Sequence, residues 1–500
     1  MTRDLANATF RRAEGLRIHG SACEGFAEFR IAAHREGGGT EAIVTRDEAA
    51  LLCRLNRWQT AVEAGTTLDV IEPLVDADFV FFSHGRPRRD LSEGAPPRFD
   101  SLTPIALRRN VSFTPLVASE DDAEPRPIPF MPRRGELEGL ALVGFEFAVN
   151  EMETETHTVS IACCAKHGRE LRDLIPRLTG EYAGDTLRGD TAWQPLLDAL
   201  ALLGLLEVHH RARRAGLREP RVTWLCHAAV VIDTAGRRIV VDPLEYPCSV
   251  PSRHPGLPPD WREFDRASAI LVTHGDNDHL NPRTLCRFTR DTRVFIPAAP
   301  SVEPYQVDME ALLSLLGFEQ VRSVREWDRI QHHEITIVAT PFRGEDWGLT
   351  LASVTYVVAS PQLTVYLNAD STSTPDAYDR IASEFAIDLA CVGVTGASEA
   401  HVMPPGYGYG HFYEPWIPEE RRNEWVQLCN GPEESAEAAR RLKARFAFGY
   451  AAGGATFAAQ AYTDRGTHAE LAAILSRDES GPQPLALPLG EAVRCSKSPR

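Results

Sequence analysis

The sequence is poor in lysine and in long apolar runs, and each lack argues against a class of protein. Only three of its 53 basic residues are lysines, and 70 acidic residues give the 500-residue chain a formal charge of −17. Such a chain lacks the concentrated basic patch that neutralises phosphates, which argues against a nucleic-acid partner. No run approaches the roughly 18 apolar residues of a membrane-spanning helix, and the first residues lack the apolar core of a signal peptide. We therefore expect a cytoplasmic protein without a membrane partner.

The ten cysteines include no CxxC pair. Scattered cysteines in a reducing compartment are expected to be buried thiols rather than disulfides. Without paired spacing, a zinc site built from thiolates is not expected either.

The length of the chain exceeds what one hydrophobic core usually organises, so more than one domain is expected. The charged stretch RARRAGLREP, residues 211–220, separates two better-patterned regions. We therefore predict an N-terminal α+β domain over residues 1–215, a second domain over 216–480 and a C-terminal tail over 481–500. Apolar residues at helical spacing, followed by a strand-like run, predict a winged-helix-like segment near 165–210.

Beyond residue 220, short β runs alternate with turns and helices, which predicts stacked sheets with helices outside them. Candidate ligands follow several of these runs: Asp242 after RRIVV, Glu345 after TIVATP and Asp370 after LTVYLNA. Residues at strand ends share one rim of a sheet, where loops on a rigid scaffold carry chemistry. We expect these side chains to converge with His274, which follows the run AILVT.

The stretch THGDNDH holds four candidate metal ligands within six residues, namely His274, Asp276, Asp278 and His279. The adjacent Asp278 and His279 cannot both point the same way in a strand, so a tight loop is expected. Gly275 and Asn277 suit such a turn because both tolerate unusual backbone angles. The stretch therefore predicts a metal-binding loop after a strand.

This arrangement resembles the metallo-β-lactamase fold superfamily, whose loop reads His-x-His-x-Asp-His. The resemblance covers residues 221–454 and includes VVDP before the loop, TPFRGE after it and the strand-terminal Asp370, in the family's order. It implies an α/β fold, a four-layer αββα sandwich, joined to the N-terminal α+β domain. It also implies that Asp370 bridges two metal ions and that Asp242 fixes the loop by hydrogen bonds. His227, in CHAAVV, is expected to support the ligands rather than to bind metal.

Three departures from the family pattern are informative. Asp276 replaces the second loop histidine, and Glu345 stands where zinc hydrolases place another histidine. Ala451 lies about where the family has a late histidine. We expect the substitute for that histidine in HVMPPGYGYGHFYEPW, as His411 or as His401.

The ligand count then implies two ions that share one carboxylate. One ion would take His274, Asp276, Glu345 and Asp370, and the other Asp278, His279, Asp370 and the late histidine. Imidazole and thiolate suit zinc, whereas mixed sets of histidine and carboxylate suit iron or manganese. We therefore expect two divalent metal ions, with iron preferred and manganese or zinc as alternatives.

One branch of the superfamily also carries carboxylates at these places, and the sequence resembles its di-iron β-hydroxylase of chloramphenicol biosynthesis. The shared features are an acid at the third loop position and a Gly-Glu after a later strand. The resemblance implies a di-iron oxygenase that uses an external electron donor and oxidises a small or carrier-protein-tethered biosynthetic substrate. The chain departs from that enzyme in having Asp276 where it has glutamate, and the N-terminal region shows no motif that matches it.

Two other functions are left open by the sequence. A metal-dependent hydrolase would attack a lactone, amide or phosphoester with a metal-bound hydroxide. In either enzyme Asp278 and Asp370 are the candidate catalytic residues. The third alternative is a binding protein with a degenerate metal site.

Overall fold

The structure is a computed structural model, and the chain divides into two compact units. One unit comprises Met1–Ile128 and Gly139–Ala212, and the other comprises Pro129–Glu138 and Arg213–Arg500. None of the helices described below has the length and apolar character needed to cross a membrane. The structure describes residues 9–12, 16–23, 28–35, 41–44, 80–83, 105–107, 111–119, 125–129, 131–151, 155–163, 165–179, 197, 200, 205–208, 219–244, 264, 266–344, 349–372, 374–396, 398–400, 413–451, 462–463, 468–478, 480–485, 487, 490 and 492–494.

The first unit is built mainly of strands, with one long helix among its described residues. The strands are β1 (Thr9–Arg12), β2 (Leu16–Cys23), β3 (Glu28–Arg35), β4 (Glu41–Val44), β5 (Val80–Ser83), β6 (Ile105–Leu107), β7 (Val111–Ala118), β8 (Arg126–Pro127), β9 (Ala141–Glu151), β10 (Glu155–Cys163) and β11 (Leu206–Val208), and the helix is α1 (Ala165–Thr179). A seven-stranded sheet has the order β4-β3-β2-β10-β9-β7-β8, while β1 pairs with β5 and β11 with β6.

Aromatic residues at alternating positions form part of the core of the first unit. Phe113 on β7 lies opposite Phe147 on β9 in the antiparallel register, and Phe145 lies on the same face of β9. The three buried rings have centroids 6.1–6.5 Å apart. The helix α1 lies close to β9, since a Cβ added at Gly168 would come within 2.1 Å of the carbonyl oxygen of Leu142.

The predicted winged-helix-like segment, residues 165–210, falls largely outside the described residues. Its first helix is present as α1, and its last strand is present as β11. Most of the region between them, where the sequence predicts a second helix, lies outside the described residues. The likeness to a winged helix stays a prediction.

The second unit contains two seven-stranded sheets and a smaller third sheet. The strands are β12 (Arg221–Cys226), β13 (Ala229–Thr234), β14 (Arg237–Val241), β15 (Ala269–Leu271), β16 (Arg293–Pro297), β17 (Gln320–Val324), β18 (Arg329–His332), β19 (Ile335–Thr340), β20 (Thr355–Ala359), β21 (Thr364–Leu367), β22 (Leu389–Gly393), β23 (Ser398–Ala400), β24 (Trp425–Gln427), β25 (Phe446–Tyr450), β26 (Tyr462–Thr463), β27 (Gln483–Leu485) and β28 (Ala492–Arg494). The helices are α2 (Pro282–Leu285), α3 (Met309–Leu315), α4 (Pro375–Glu384), α5 (Pro432–Arg441) and α6 (His468–Leu475). The sheet orders are β17-β16-β15-β14-β13-β12-β28, β18-β19-β20-β21-β22-β25-β27 and β24-β23-β26.

The two large sheets contact each other through polar and aromatic side chains. The Tyr356 hydroxyl donates to the carbonyl of Val272 at 2.9 Å, and the rings of Trp224 and Phe448 lie 5.1 Å apart. Helices α4, α5 and α6 contribute to one apolar cluster with the sheet that contains β22. Strands buried on both faces, such as β13 and β22, are accordingly apolar throughout most of their length. The mixed α/β fold predicted from the sequence is confirmed, while the full four-layer order stays a prediction.

Two predicted boundaries differ from the structure. Residues 481–500, expected as a tail, contribute β27 and β28, which pair with β25 and β12 at sheet edges. Residues 129–138, expected in the N-terminal domain, belong to the second unit, where Arg133 bridges to Val307. These segments are short and lack a strong apolar alternation, so pairing with distant strands, rather than local sequence, determines their placement.

Candidate metal centre

The predicted metal loop follows β15 and is a tight turn, as the sequence indicates. The amides of His279 and Leu280 both donate to the carbonyl of Asp276, at 2.9 and 2.7 Å. Asn281 then caps α2 by accepting from the amide of Thr284 at 3.0 Å. A Cβ at Gly275 would lie 2.7 Å from the Cβ of Val307, so the loop is packed without room for a side chain there. The four candidate ligands of the loop are all buried, namely His274, Asp276, Asp278 and His279.

Asp242, at the end of β14, holds this loop from behind. Its Oδ1 accepts from the amide of Thr273 at 2.8 Å, and its Oδ2 accepts from the Thr273 hydroxyl at 2.7 Å. The same Oδ2 lies 2.9 Å from Nδ1 of His279. Because a carboxylate can only accept, this contact places a hydrogen on Nδ1 of His279. Asp242 therefore holds the loop through Thr273 and His279, and its role in supporting a metal ligand stays a prediction.

The opposite nitrogen of His279 faces a group of further ligands. Its Nε2 lies 3.1 Å from Oδ2 of Asp370 and 3.1 Å from Nε2 of His227. Burial lowers the pKa of His279, but the charges of Asp370, Asp242 and Asp278 outweigh it and hold the pKa well above 6.5. In the absence of metal, the His279 ring therefore binds a second proton, on Nε2, and becomes positively charged.

Asp370 stands at the end of β21, with its carboxylate aimed at the histidines. Burial raises the pKa of Asp370, but the charge of His279 and its hydrogen bond outweigh burial, so the pKa lies below its usual value. The amide of the preceding Ala369 donates to the Tyr450 hydroxyl at 2.7 Å. Oδ1 of Asp370 is buried and has no hydrogen-bond partner among the described residues. A carboxylate with one oxygen engaged and the other available is suited to bridging two ions.

His274 lies on the other side of the same cluster. Its Nδ1 is 2.9 Å from the Thr273 hydroxyl, and its Nε2 is 3.8 Å from Oδ2 of Asp276. Burial, followed by the charge of His279, lowers the pKa of His274 well below 6.5. A neutral imidazole is the form that binds a metal ion.

Two groups of ligand atoms are close enough to hold ions. His227, Asp278 and His279 form one group, and His274, His279 and Asp370 form the other, with ligand atoms in each within 4.8 Å of one another. His279 belongs to both groups and can serve only one ion through Nε2, whereas the carboxylate of Asp370, with Oδ1 available, can serve two. Histidines and buried carboxylates together fit the donor set of a dinuclear metal site. The structure thus brings together most of the ligands predicted from the sequence.

Some predicted ligands lie outside the described residues. These are Glu345, His401 and His411, whose roles as ligands stay predictions. His227, by contrast, was expected only to support the ligands, and it stands within ligand distance of Asp278 and His279. The signal for it in the sequence is a lone histidine at the turn between two apolar strands, which does not by itself distinguish a ligand from a buried core residue.

Backbone strain is concentrated around this site. His227, Asp242, Ala369 and Ala451 all adopt positive φ angles, of 42°, 44°, 47° and 51°. Each of these residues follows directly after a strand or after one further residue. Left-handed angles are unfavourable for residues other than glycine and occur often at functional sites.

Comparison with known proteins gives similarities to a hydroxylase and to a metal-dependent hydrolase. A 4-amino-L-phenylalanyl-(CmlP-peptidyl-carrier-protein) 3-hydroxylase from Streptomyces venezuelae is 28% identical over 224 residues, or 43% of this chain and 40% of that protein. The crystal structure of CmlA, a diiron beta-hydroxylase from the same organism, has a TM-score of 0.51 at 22% identity, covering 70% of this chain and 69% of that chain. A metal-dependent hydrolase from Caldivirga maquilingensis is 21% identical over 211 residues, or 42% of this chain and 86% of that protein.

This chain spans less than half the length of the curated hydroxylase that it matches. The similarity to the crystal structure is a similarity of fold. The family described as Beta-lactamase superfamily domain matches residues 221–448. The family match lies in the unit that holds the cluster. Residues 221–448 of this chain are therefore similar to the metallo-β-lactamase superfamily domain.

Proposed function

We propose that this chain is a dinuclear metal enzyme, namely an iron-dependent oxygenase that hydroxylates a small or carrier-protein-tethered substrate. The observation that carries the proposal is the buried carboxylate of Asp276, whose Oδ2 lies 3.8 Å from Nε2 of His274. Its place in the loop is the one where the superfamily pattern has a histidine. Replacing imidazole by carboxylate shifts the preferred metal from zinc towards iron or manganese.

The comparison supports the same reading. The hydroxylase from Streptomyces venezuelae is named for an amino acid carried on a peptidyl carrier protein, and CmlA is named as a diiron enzyme. We extend to this chain the class of reaction and the option of a tethered substrate. An external electron donor would be required, since hydroxylation by dioxygen consumes two electrons beyond those of the substrate.

The residues of the site then have distinct roles. His274, Asp276 and Asp370, with Glu345, would hold one ion. Asp278, His279 and Asp370 would hold the other, with a histidine as its remaining ligand, for which the sequence predicts His411 or His401. An iron pair, when bound, supplies the reduction of dioxygen and the oxidation of the substrate.

The protein's own contribution is to orient these ligands and to keep water away. Asp242 holds the hydrogen on Nδ1 of His279, which leaves Nε2 available towards Asp370. All four candidate ligands of the loop are at most 4% exposed. A dry and rigid set of ligands protects reactive chemistry from solvent.

The test is a metal analysis joined to an oxygen-consumption assay. Chain purified without added metal should hold about two iron ions and absorb in the near ultraviolet through ligand-to-metal charge transfer. With a reductant and an amino acid on a carrier protein, it should consume dioxygen. Two tightly bound zinc ions, with no oxygen consumption after iron loading, would contradict the oxygenase.

A metal-dependent hydrolase is the second candidate. The observation that favours it is that the loop keeps three residues of the superfamily pattern, His274, Asp278 and His279, together with the similarity to a metal-dependent hydrolase over 86% of that protein's length. The carboxylate of Asp278 would then accept a proton from the attacking water. Turnover of simple lactones, amides or phosphoesters by the metal-loaded chain, lost in Asp278→Asn, would support this alternative.

A further inference from the structure

We propose that His227 is a direct ligand of the second metal ion and takes the place that the superfamily pattern gives to a late histidine. The inference rests on the proposed dinuclear centre. It assigns to the turn between β12 and β13 a role that the sequence assigns to His411 or His401.

The main chain of His227 lies beside the place where the late histidine is missing. Its carbonyl accepts from the amide of Ala451 at 3.1 Å and from Nε1 of Trp224 at 2.7 Å. Ala451 directly follows β25, where the family pattern expects that histidine. The backbone of His227 therefore lies beside the position where the family has its late histidine. From there, the His227 imidazole can reach the ion that the late histidine would bind.

The side chain of His227 points into the cluster. It is 4% exposed, and its Nε2 lies 3.1 Å from Nε2 of His279, 3.3 Å from Oδ2 of Asp278 and 3.8 Å from Oδ2 of Asp370. Ligand atoms bound to one ion at about 2.1 Å are separated by about 3.0 Å in an octahedron and about 3.4 Å in a tetrahedron. The spacing of the His227 nitrogen from its two nearer neighbours matches the spacing of ligands on one ion.

The chemistry of the surrounding atoms favours a cation between them. In the neutral form that a metal ligand must adopt, His279 keeps its hydrogen on Nδ1 and presents a lone pair at Nε2, and the carboxylates of Asp278 and Asp370 can only accept. A hydrogen on Nε2 of His227 could serve one of these acceptors, but it would then occupy the space of an ion bound to His279. A metal ion can be shared by all four atoms, which a single hydrogen cannot.

The backbone conformation of His227 follows from its place in the hairpin. His227 and Ala228 form the two-residue loop that joins Cys226 to Ala229, and the φ of His227 is +42°. Two-residue hairpin loops use a positive φ at their first residue, so the angle belongs to the turn and sets the direction in which the side chain leaves the backbone.

An isosteric pair of variants separates ligation from support. His227→Glu supplies a carboxylate that can bind metal but cannot donate, whereas His227→Gln keeps an N–H donor towards Asp278 but is a poor ligand. The matched control is His332→Gln, because His332 is equally buried and its Nε2 contacts only the Ser268 hydroxyl at 3.1 Å, away from the cluster. Metal per chain is measured by elemental analysis after dialysis, and folding by circular dichroism of the metal-free chains.

We expect two ions per chain in the wild type, in His332→Gln and in His227→Glu, and loss of about one ion in His227→Gln. His411→Ala should keep both ions. Two ions retained in His227→Gln, or one ion lost in His411→Ala, would overturn the inference. A wild-type chain that binds no iron, manganese or zinc would overturn it as well.

A second measurement needs no variant. In wild-type chain loaded with cadmium-113 and labelled with nitrogen-15 histidine, the His227 ring should show a one-bond coupling to the metal. A spectrum in which His274 and His279 couple and His227 does not would refute ligation. If all three couple but the iron-loaded chain consumes no dioxygen, the ligand assignment stands and the proposed oxygenase fails.

Discussion

Replacing Asp242 by asparagine tests how the loop is held, because the change keeps the shape of the side chain and removes its charge. The amide oxygen of Asp242→Asn can still accept from the amide of Thr273. Its NH₂ group, however, would meet the hydrogen on Nδ1 of His279 across the present 2.9 Å contact. His279 must then either lose the contact or move its hydrogen to Nε2, the nitrogen that faces the proposed ions.

The expected magnitude follows from these contacts. A buried hydrogen bond to a charged group contributes about 1.5–3 kcal/mol, so the metal-free chain should lose stability of this order. Substituting the partner of a ligating histidine typically lowers metal affinity about 10–100-fold, equal to about 1.4–2.8 kcal/mol. We therefore expect Asp242→Asn to lower both the free energy of unfolding of the metal-free chain and the affinity for metal by measurable amounts.

Metal affinity is measured by competition with a chelator, and stability by urea unfolding of the metal-free chain. Asp388→Asn is the matched control, since Asp388 is also buried and its Oδ2 accepts from the amide of Thr364 at 2.8 Å, without contacting a proposed ligand. The control should lose stability and keep its metal affinity. An Asp242→Asn chain with metal affinity within about two-fold of the wild type would refute the argument from the His279 tautomer.

Three further changes test other parts of the centre and its surroundings. Asp370→Ala should lose both ions by elemental analysis, because this carboxylate is expected to bridge them; retention of one full ion would contradict bridging. Gly275→Ala should lower metal affinity at least about ten-fold, because its Cβ would meet Val307 at 2.7 Å and displace the loop. Burial, with the charges of His333, Arg293 and Arg237, lowers the pKa of His332 from 6.5 to about 4. Below pH 6.5 the unfolded chain therefore binds a proton at His332 more readily than the folded chain does, so the metal-free protein should lose stability as the pH falls from 6.5 towards 4. Urea titrations should show a smaller loss in His332→Gln.

The features that could be predicted from the sequence are those encoded within a short stretch. The loop from His274 to His279 and the carboxylates after β14 and β21 follow apolar runs that are unambiguous strands. The hairpin of β13 and β14 is equally local, because its turn at Ala235 and Gly236 adopts the positive φ angles that a two-residue hairpin requires.

The features that were missed depend on residues far apart in the chain. His227 lies within ligand distance of Asp278 and His279, which are more than fifty positions away in the chain, and its carbonyl accepts from the amide of Ala451, more than two hundred positions away. The strand β28 exists only through pairing with β12, and no local alternation marks it. Short segments of this kind are determined by tertiary contacts, which the sequence pattern does not encode.

The four left-handed residues that surround the centre also bear on how the stability of the fold is balanced against the geometry of the site. Such angles cost about 1 kcal/mol or more each, and they occur at His227, Asp242, Ala369 and Ala451. Contacts within the fold hold two of them, since the amide of Ala369 donates to the Tyr450 hydroxyl and the amide of Ala451 donates to the carbonyl of His227. Part of the free energy gained on folding is therefore offset by directing the backbone at this site. Glycine at position 369 would adopt the same angle without that cost, but it would restrict the backbone less.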